Sequence, residues 1–301
     1  MHTETFSKFV PPSTPLLELR NIEKMWDVAH LVAKLEYATP SKNHKYRYAQ
    51  TAVNRFRSGS WPGISAASCG HLARSLAILC AEHQIPCQLF VPRGCPVSIP
   101  SSPFVITDFR AASYDAAVQT SLEFATSEGL LEATPGSQLA AEYRDSLACI
   151  STEILACGPA PDAVVCPVGN GTTLAGIHHG FLRADAPAPR HYGVGIAQNP
   201  LTGVSSPADV IDWDLEPLHS IRPLDEPTVR HAVYTSGGAF VCVSPEELYR
   251  ARDLLWHREG LRLHPSAAAP LAGWKVMLDR DPSLRAERVV LVLTALVEDG
   301  A

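Results

Sequence analysis

Two lysines stand three apart in "PSKNHKYR" (40–47), in a chain with only six lysines, Lys8, Lys24, Lys34, Lys42, Lys45 and Lys275, against 19 arginines. A neutral lysine amine is a nucleophile toward a carbonyl and a base toward a carbon-bound proton. Three further stretches offer groups suited to holding a small anionic ligand. "AVVCPVGNGTTLAGIHHGF" (163–181) runs an apolar segment into Gly169, Asn170, Gly171, Thr172 and Thr173 and then into a helical pattern. Amides at such a turn, backed by the positive end of the helix dipole, suit a phosphate; a tight connection without a ligand has the same sequence. "AASCGHLARSLA" (66–77) places Ala67, Ser68, Cys69, Gly70 and His71 at a second such junction. Small polar groups there either hold a carboxylate or cap the helix. "VVLVLTALVED" (289–299) ends an apolar run on Thr294, a hydroxyl where parallel sheets face their ligands.

The turn at 169–173 differs from the two common nucleotide motifs. A dinucleotide fingerprint wants glycine at 174, where this chain has leucine, and a P-loop needs a lysine, which the turn lacks.

The elements that must carry these groups alternate. Apolar runs at 30–35, 63–67, 87–91, 104–107, 163–168, 192–196 and 289–294 read as strands. Stretches at 46–58, 71–84, 114–130, 138–157, 173–183, 245–259 and 265–279 read as helices. Strands apolar on both faces, interleaved with helices, predict an α/β fold with mainly parallel sheet. "SPEE" (244–247) reads as a capping box with Ser244 as N-cap. Residues 200–231 read as a long irregular connection, and no internal repeat or low-complexity segment stands out.

A net charge of −6 and the absence of a basic block exclude nucleic acid or an anionic membrane as the main partner. The N-terminal "MHTETFSKFVPPSTPLLEL" is not a secretory signal, and no apolar run reaches the length of a membrane span. The eight cysteines form no C-x-x-C pair and no metal-ligand spacing with histidine, so reduced thiols, no metal and a cytosolic location are expected.

Taken in order, "TPLLEL", "LVAKLEYATPSKNHKYRYA", "AASCGHLARSLA", "VVCPVGNGTTLAGIHHGF", "EGLRLHPSAAAPLAGW" and "VVLVLT" resemble the tryptophan-synthase-β-like (fold type II) enzymes dependent on pyridoxal 5′-phosphate, over about residues 14–295. "PVGNGTT", "TSGGAFVCVSPEEL" and "SCGHLARSLA" are closest in flavour to threonine synthase, cysteate synthase and cysteine synthase. The resemblance implies two three-layer α/β/α domains with mainly parallel sheets. A large cofactor domain would comprise 14–38 plus 140–301, and a small substrate-loop domain 39–139. It makes Lys45 the Schiff-base lysine and puts Lys42 in the family's glycine slot. Gly169, Asn170, Gly171, Thr172 and Thr173 would hold the cofactor phosphate, and Thr294 the pyridine nitrogen. The loop of Ala67, Ser68, Cys69, Gly70 and His71 would take the substrate carboxylate, with His71 where the family's asparagine meets the ring hydroxyl.

The chemistry so implied is removal of the α-proton of a small amino acid, followed by elimination or replacement of a β- or γ-leaving group. A neutral threonine at the ring nitrogen makes expulsion of such a group the natural exit. Cys69 stands where the family commonly has serine, which in racemising members moves a proton on the face opposite the lysine. A racemase or epimerase using Lys45 and Cys69 is thus the alternative, and a cofactor-binding homologue without turnover the third reading. A homodimer is expected from the resemblance alone.

Overall fold

The computed structural model describes residues 13–136, 138–184, 186–203, 212–220 and 222–297. The elements follow in chain order: β1 (Leu16–Glu18), α1 (Arg20–Trp26), β2 (His30–Leu35), α2 (Tyr46–Arg57), β3 (Ile64–Ala67), α3 (His71–Glu82), β4 (Cys87–Pro92) and β5 (Val105–Ala111). Then come α4 (Tyr114–Glu128), β6 (Leu131–Glu132), α5 (Ala140–Leu147), α6 (Cys149–Ala156), β7 (Ala163–Pro167), α7 (Thr172–Arg183) and β8 (Arg190–Gly195). The last are α8 (Glu226–Thr235), β9 (Phe240–Cys242), α9 (Pro245–Glu259), α10 (Ala269–Arg280) and β10 (Arg288–Leu293). The chain divides into two compact units, 14–44 with 147–301, and 45–146.

The larger unit is built on a six-stranded sheet of order β1-β2-β10-β7-β8-β9. Only β1 runs antiparallel to its neighbour. Its central strands are apolar on both faces because helices cover both: Leu31, Ala33, Val165, Leu291 and Leu293 are buried in one core with Leu271, Trp274 and Leu278 of α10. One buried cation interrupts that core. The Lys34 ammonium donates to the Thr14 carbonyl at 2.6 Å and to Glu153 at 2.5 Å, and lies 3.1 Å from Glu36. A charge so deep in a sheet is tolerated only when paired in this way.

The smaller unit carries a four-stranded parallel sheet of order β5-β4-β3-β6. Phe90 of β4 meets Phe124 of α4 edge-on at 5.6 Å, and Ala67 and Ala117 leave room for that contact.

Several elements depart from the sequence reading. The stretch 138–157 is two helices, α5 and α6, broken at Ala148, and 265–279 begins with a 3-10 turn at Pro265–Ala268. The expected irregular connection 200–231 gives way to α8 at Glu226; residues 204–211 and 221 of it lie outside the described residues, as do 1–12 of the N-terminal reading. β1, α1, β6 and β9 are too short to leave a periodic signature. Among the described residues no helix is long and apolar enough to cross a membrane.

Candidate functional site

In the larger unit, β7 delivers the chain into the turn 169–171 and α7 begins at Thr172. Gly171 has φ +89°, and a Cβ there would lie 2.6 Å from Val229 Cγ1 of α8; a Cβ on Gly169 would lie 2.4 Å from the Pro217 carbonyl oxygen. Both positions therefore require glycine. The carbonyls of the turn are engaged, those of 168–170 from outside and that of Gly171 by the helix itself. Asn199 Nδ2 donates to Val168 O at 3.2 Å and Gly169 O at 3.0 Å, Asp225 N to Asn170 O at 3.1 Å, and Ala175 N to Gly171 O at 3.0 Å. The Asn170 side chain is held too, accepting from Ser220 Oγ at 3.1 Å.

With its acceptors consumed, the turn presents donors. No side chain caps α7, whose first amides have no partner within the helix. The Thr172 hydroxyl is buried without a hydrogen-bond partner. An unsatisfied buried hydroxyl beside an uncapped helix start, in a cradle a Cβ would fill, fits a bound phosphate. Behind the turn, α7 packs on β8 through His178 and His191, whose rings meet edge-on at 4.9 Å. Burial first, and His178 second, push the His191 pKa down to about 3, so the ring stays neutral. Burial likewise pushes the Cys166 thiol of β7 up, which makes it an inert core residue.

Thr294 follows the end of β10 in the same unit. Its carbonyl accepts from His44 N at 2.8 Å, Asn43 bridges to Ala295, and Leu296 N donates to Lys42 O at 3.1 Å. The segment 42–44 is thereby laid along the strand end, and Lys45 is the next residue in the chain. Lys42 has φ +58°, the left-handed conformation that favours glycine. The backbone at 42 keeps the shape expected of a glycine slot while bearing a lysine side chain. Thr39 Oγ1 and Asn43 lock the same turn, Thr39 donating to Asn43 O at 2.9 Å and accepting from Asn43 N at 3.2 Å.

In the smaller unit, Lys45 is the N-cap of α2 and half-buried, its Nζ lying 5.1 Å from the centre of the Tyr48 ring. Tyr48 in turn stacks at 4.9 Å on Tyr143, whose hydroxyl donates to Ala133 O at 2.6 Å. The turn at 67–71 links β3 to α3. Ser68 Oγ accepts from Gly70 N and Ala73 N, both at 3.0 Å, so this serine shapes the turn and caps α3. Gly70 has φ +126°, and Cys95 Sγ donates to Cys69 O at 3.3 Å. Cys69 and His71 are half-buried.

The structure thus brings Gly169 to Thr173 together as one donor surface, joins Thr294 to the residue before Lys45, and gathers Ala67 to His71 into one turn. Asn199, which holds the phosphate-type turn from outside, was missed by the sequence reading, since nothing local in "AQNP" announces it. Among the described residues no cluster of three or more metal-ligating side chains occurs.

The chain matches the family described as pyridoxal-phosphate dependent enzyme over residues 10–295. It is 25% identical to a threonine synthase of Methanocaldococcus jannaschii, over 93% of this chain and 73% of that one. It is 27% identical to a threonine synthase of Bacillus sp. (strain ULM1), over 94% and 82%. In fold it superposes on maize serine racemase with a TM-score of 0.77 and 16% identity, over 96% of this chain and 91% of that one. On the processed form of threonine deaminase isoform 2 from Solanum lycopersicum the TM-score is 0.77 with 18% identity, over 97% and 86%. A family match across nearly the whole chain, on a parallel α/β scaffold with a donor-lined turn, makes this chain a member of the pyridoxal-phosphate dependent enzyme family, of fold type II, with pyridoxal 5′-phosphate as its cofactor.

Proposed function

We propose that the chain removes the α-proton of a small amino acid and then eliminates or replaces a β- or γ-substituent, as a lyase or synthase. The observation that carries this reading is the turn 169–173, whose acceptors are all engaged and whose Thr172 hydroxyl has no partner. Its threonine-synthase relatives support the same class.

Gly169 to Thr173 would bind the phosphate through amides and hydroxyls, and so fix the depth of the cofactor. Thr294 would give the pyridine nitrogen a neutral hydroxyl partner, and His71 would meet the ring oxygen. The turn 67–71 would hold the substrate carboxylate and orient the α-hydrogen. Lys45 would anchor the cofactor covalently and, once displaced by substrate, take the α-proton on its Nζ. When bound, the cofactor supplies the electron sink that makes this proton acidic.

The purified protein should be yellow, and borohydride treatment followed by peptide mapping should place the label on Lys45; a label on Lys42 would overturn the assignment. Incubation with O-acetyl, O-phospho and free hydroxy amino acids in deuterated water then separates the reactions. Keto-acid release or a new side chain supports the lyase or synthase reading. Exchange with inversion and no elimination replaces it with racemisation, in which Cys69 would serve the face opposite Lys45. Inertness across the panel replaces it with a binding protein.

A further inference from the structure

In the smaller unit β6 pairs with β3 over only two residues, Ile64 with Leu131 and Ser65 with Glu132, and Ala133 N adds a bond to Ser65 O at 2.8 Å. At the next donor the ladder passes from main chain to side chain: Ala67 N donates to Thr134 Oγ1 at 2.9 Å. Thr134 is itself held by Glu132. Its amide donates to Glu132 Oε2 at 2.9 Å and its hydroxyl to Oε1, which also accepts from Ser121 Oγ at 2.9 Å. Ser121 has spent its one hydrogen there, so Ser65 is the donor toward Ser121, its Oγ lying 2.9 Å from the hydroxyl and 3.3 Å from the carbonyl oxygen. A closed run therefore leaves β3 at Ser65, passes through Ser121, Glu132 and Thr134, and returns to β3 at Ala67. Ser65, Ser121, Thr134 and Glu132 are all buried.

The directions in this run follow from donor counting. A hydroxyl has one hydrogen. Because Glu132 takes the hydrogen of Thr134, a lone pair of that hydroxyl faces Ala67 N–H. Glutamine at 132 would turn an NH2 toward one of three donors, whereas a carboxylate accepts all three. A carboxylate is costly to bury, and through Thr134 this one reaches the backbone of Ala67, the pivot from which the 67–71 turn departs.

We infer that Glu132 and Thr134 are positioning residues that set the backbone of the 67–71 turn and thereby its grip on the substrate carboxylate, which rests on the reading of that turn given above. Neither residue need touch the substrate. The test uses deuterium uptake in the peptide 64–72 of the purified protein, with the α2 peptide as internal control. Thr134→Val should speed uptake at 64–72 at least tenfold, Glu132→Gln should do the same, and Thr134→Ser should stay within twofold of the parent. Glu132→Gln, being isosteric, carries the test if Thr134→Val does not fold. In parallel, bound-cofactor absorbance is titrated with the amino acid of the panel that shifts it. Half-saturation should rise at least fivefold in Thr134→Val and recover in Thr134→Ser. Unchanged uptake at 64–72 overturns the positioning itself. Faster uptake with an unmoved titration leaves the backbone role standing and overturns the carboxylate-loop reading.

Discussion

Two strand-to-helix turns, β7 to α7 and β3 to α3, share a composition of glycine and small polar residues, yet they are finished in opposite ways. At 169–173 the Gly169 and Asn170 carbonyls are engaged from outside the turn, that of Gly171 by the helix itself, and no side chain caps the helix. At 67–71 the turn caps itself, because Ser68 Oγ takes the amides of Gly70 and Ala73. The first turn is left with donors to offer a ligand, while the second has used two of its own. Small residues between a strand and a helix do not by themselves make an anion site. What satisfies the helix start sets how many donors are left for an anion.

The largest effect is expected from Gly171→Ala. The new methyl meets Val229 Cγ1 at 2.6 Å at a φ of +89°. A loss of roughly 2–3 kcal/mol in stability is expected from the clash and the left-handed backbone. Cofactor retention, read from visible absorbance after gel filtration, should be abolished; retention at the parent level would break the contrast between the turns.

Acid should expose the next difference, because α7 rests on buried neutral histidines. His191 titrates near 6.5 when unfolded and at about 3 when folded, so the unfolded chain binds the proton first. Stability is full above pH 6.5 and falls as pH drops toward 3, by about 2 kcal/mol between pH 6.5 and 5 from this residue. Burial lowers the pKa of His178 in the same direction. Denaturant melts across this range should show the slope, and His191→Phe should flatten it.

The smallest effect belongs to Ser68→Ala. Loss of a cap costs about 1 kcal/mol, and the midpoint of unfolding should move accordingly. The cofactor should be retained as in the parent, since Ser68 shapes its own turn and not the one at 169–173 that would hold the phosphate. Loss of the cofactor in this variant would erase the distinction.

How much of this was legible in the residues varies with the range of the contacts. β2, β4, β7 and β10 announce themselves as apolar runs because both their faces are buried. The capping box at 244–247 is local chemistry, and it forms: Ser244 N donates to Glu247 at 2.7 Å and Glu247 N to Ser244 at 3.2 Å. α8 escaped because it buries only Val229, Ala232 and Val233 behind an early proline. The break at Ala148 is invisible because the apolar pattern runs through it. At the candidate site the glycines and threonines could be read, but the reason the turn shows only donors could not. That reason lies in Asn199 and Asp225, 30 and more residues away. Glu132 and Thr134 were silent for the same cause, since their meaning depends on which strand lies beside β6.

The buried ammonium of Lys34 bears on how the chain tolerates proteolysis. Thr14 closes over it, giving its carbonyl to Lys34 at 2.6 Å and its amide to Glu153 at 3.1 Å. A protease that cuts beyond Thr14 removes an acceptor from a sealed cation and opens a path for water to the β2–β10 seam. Thr14 thus works as the lid of an electrostatic seal over an inner strand of the sheet.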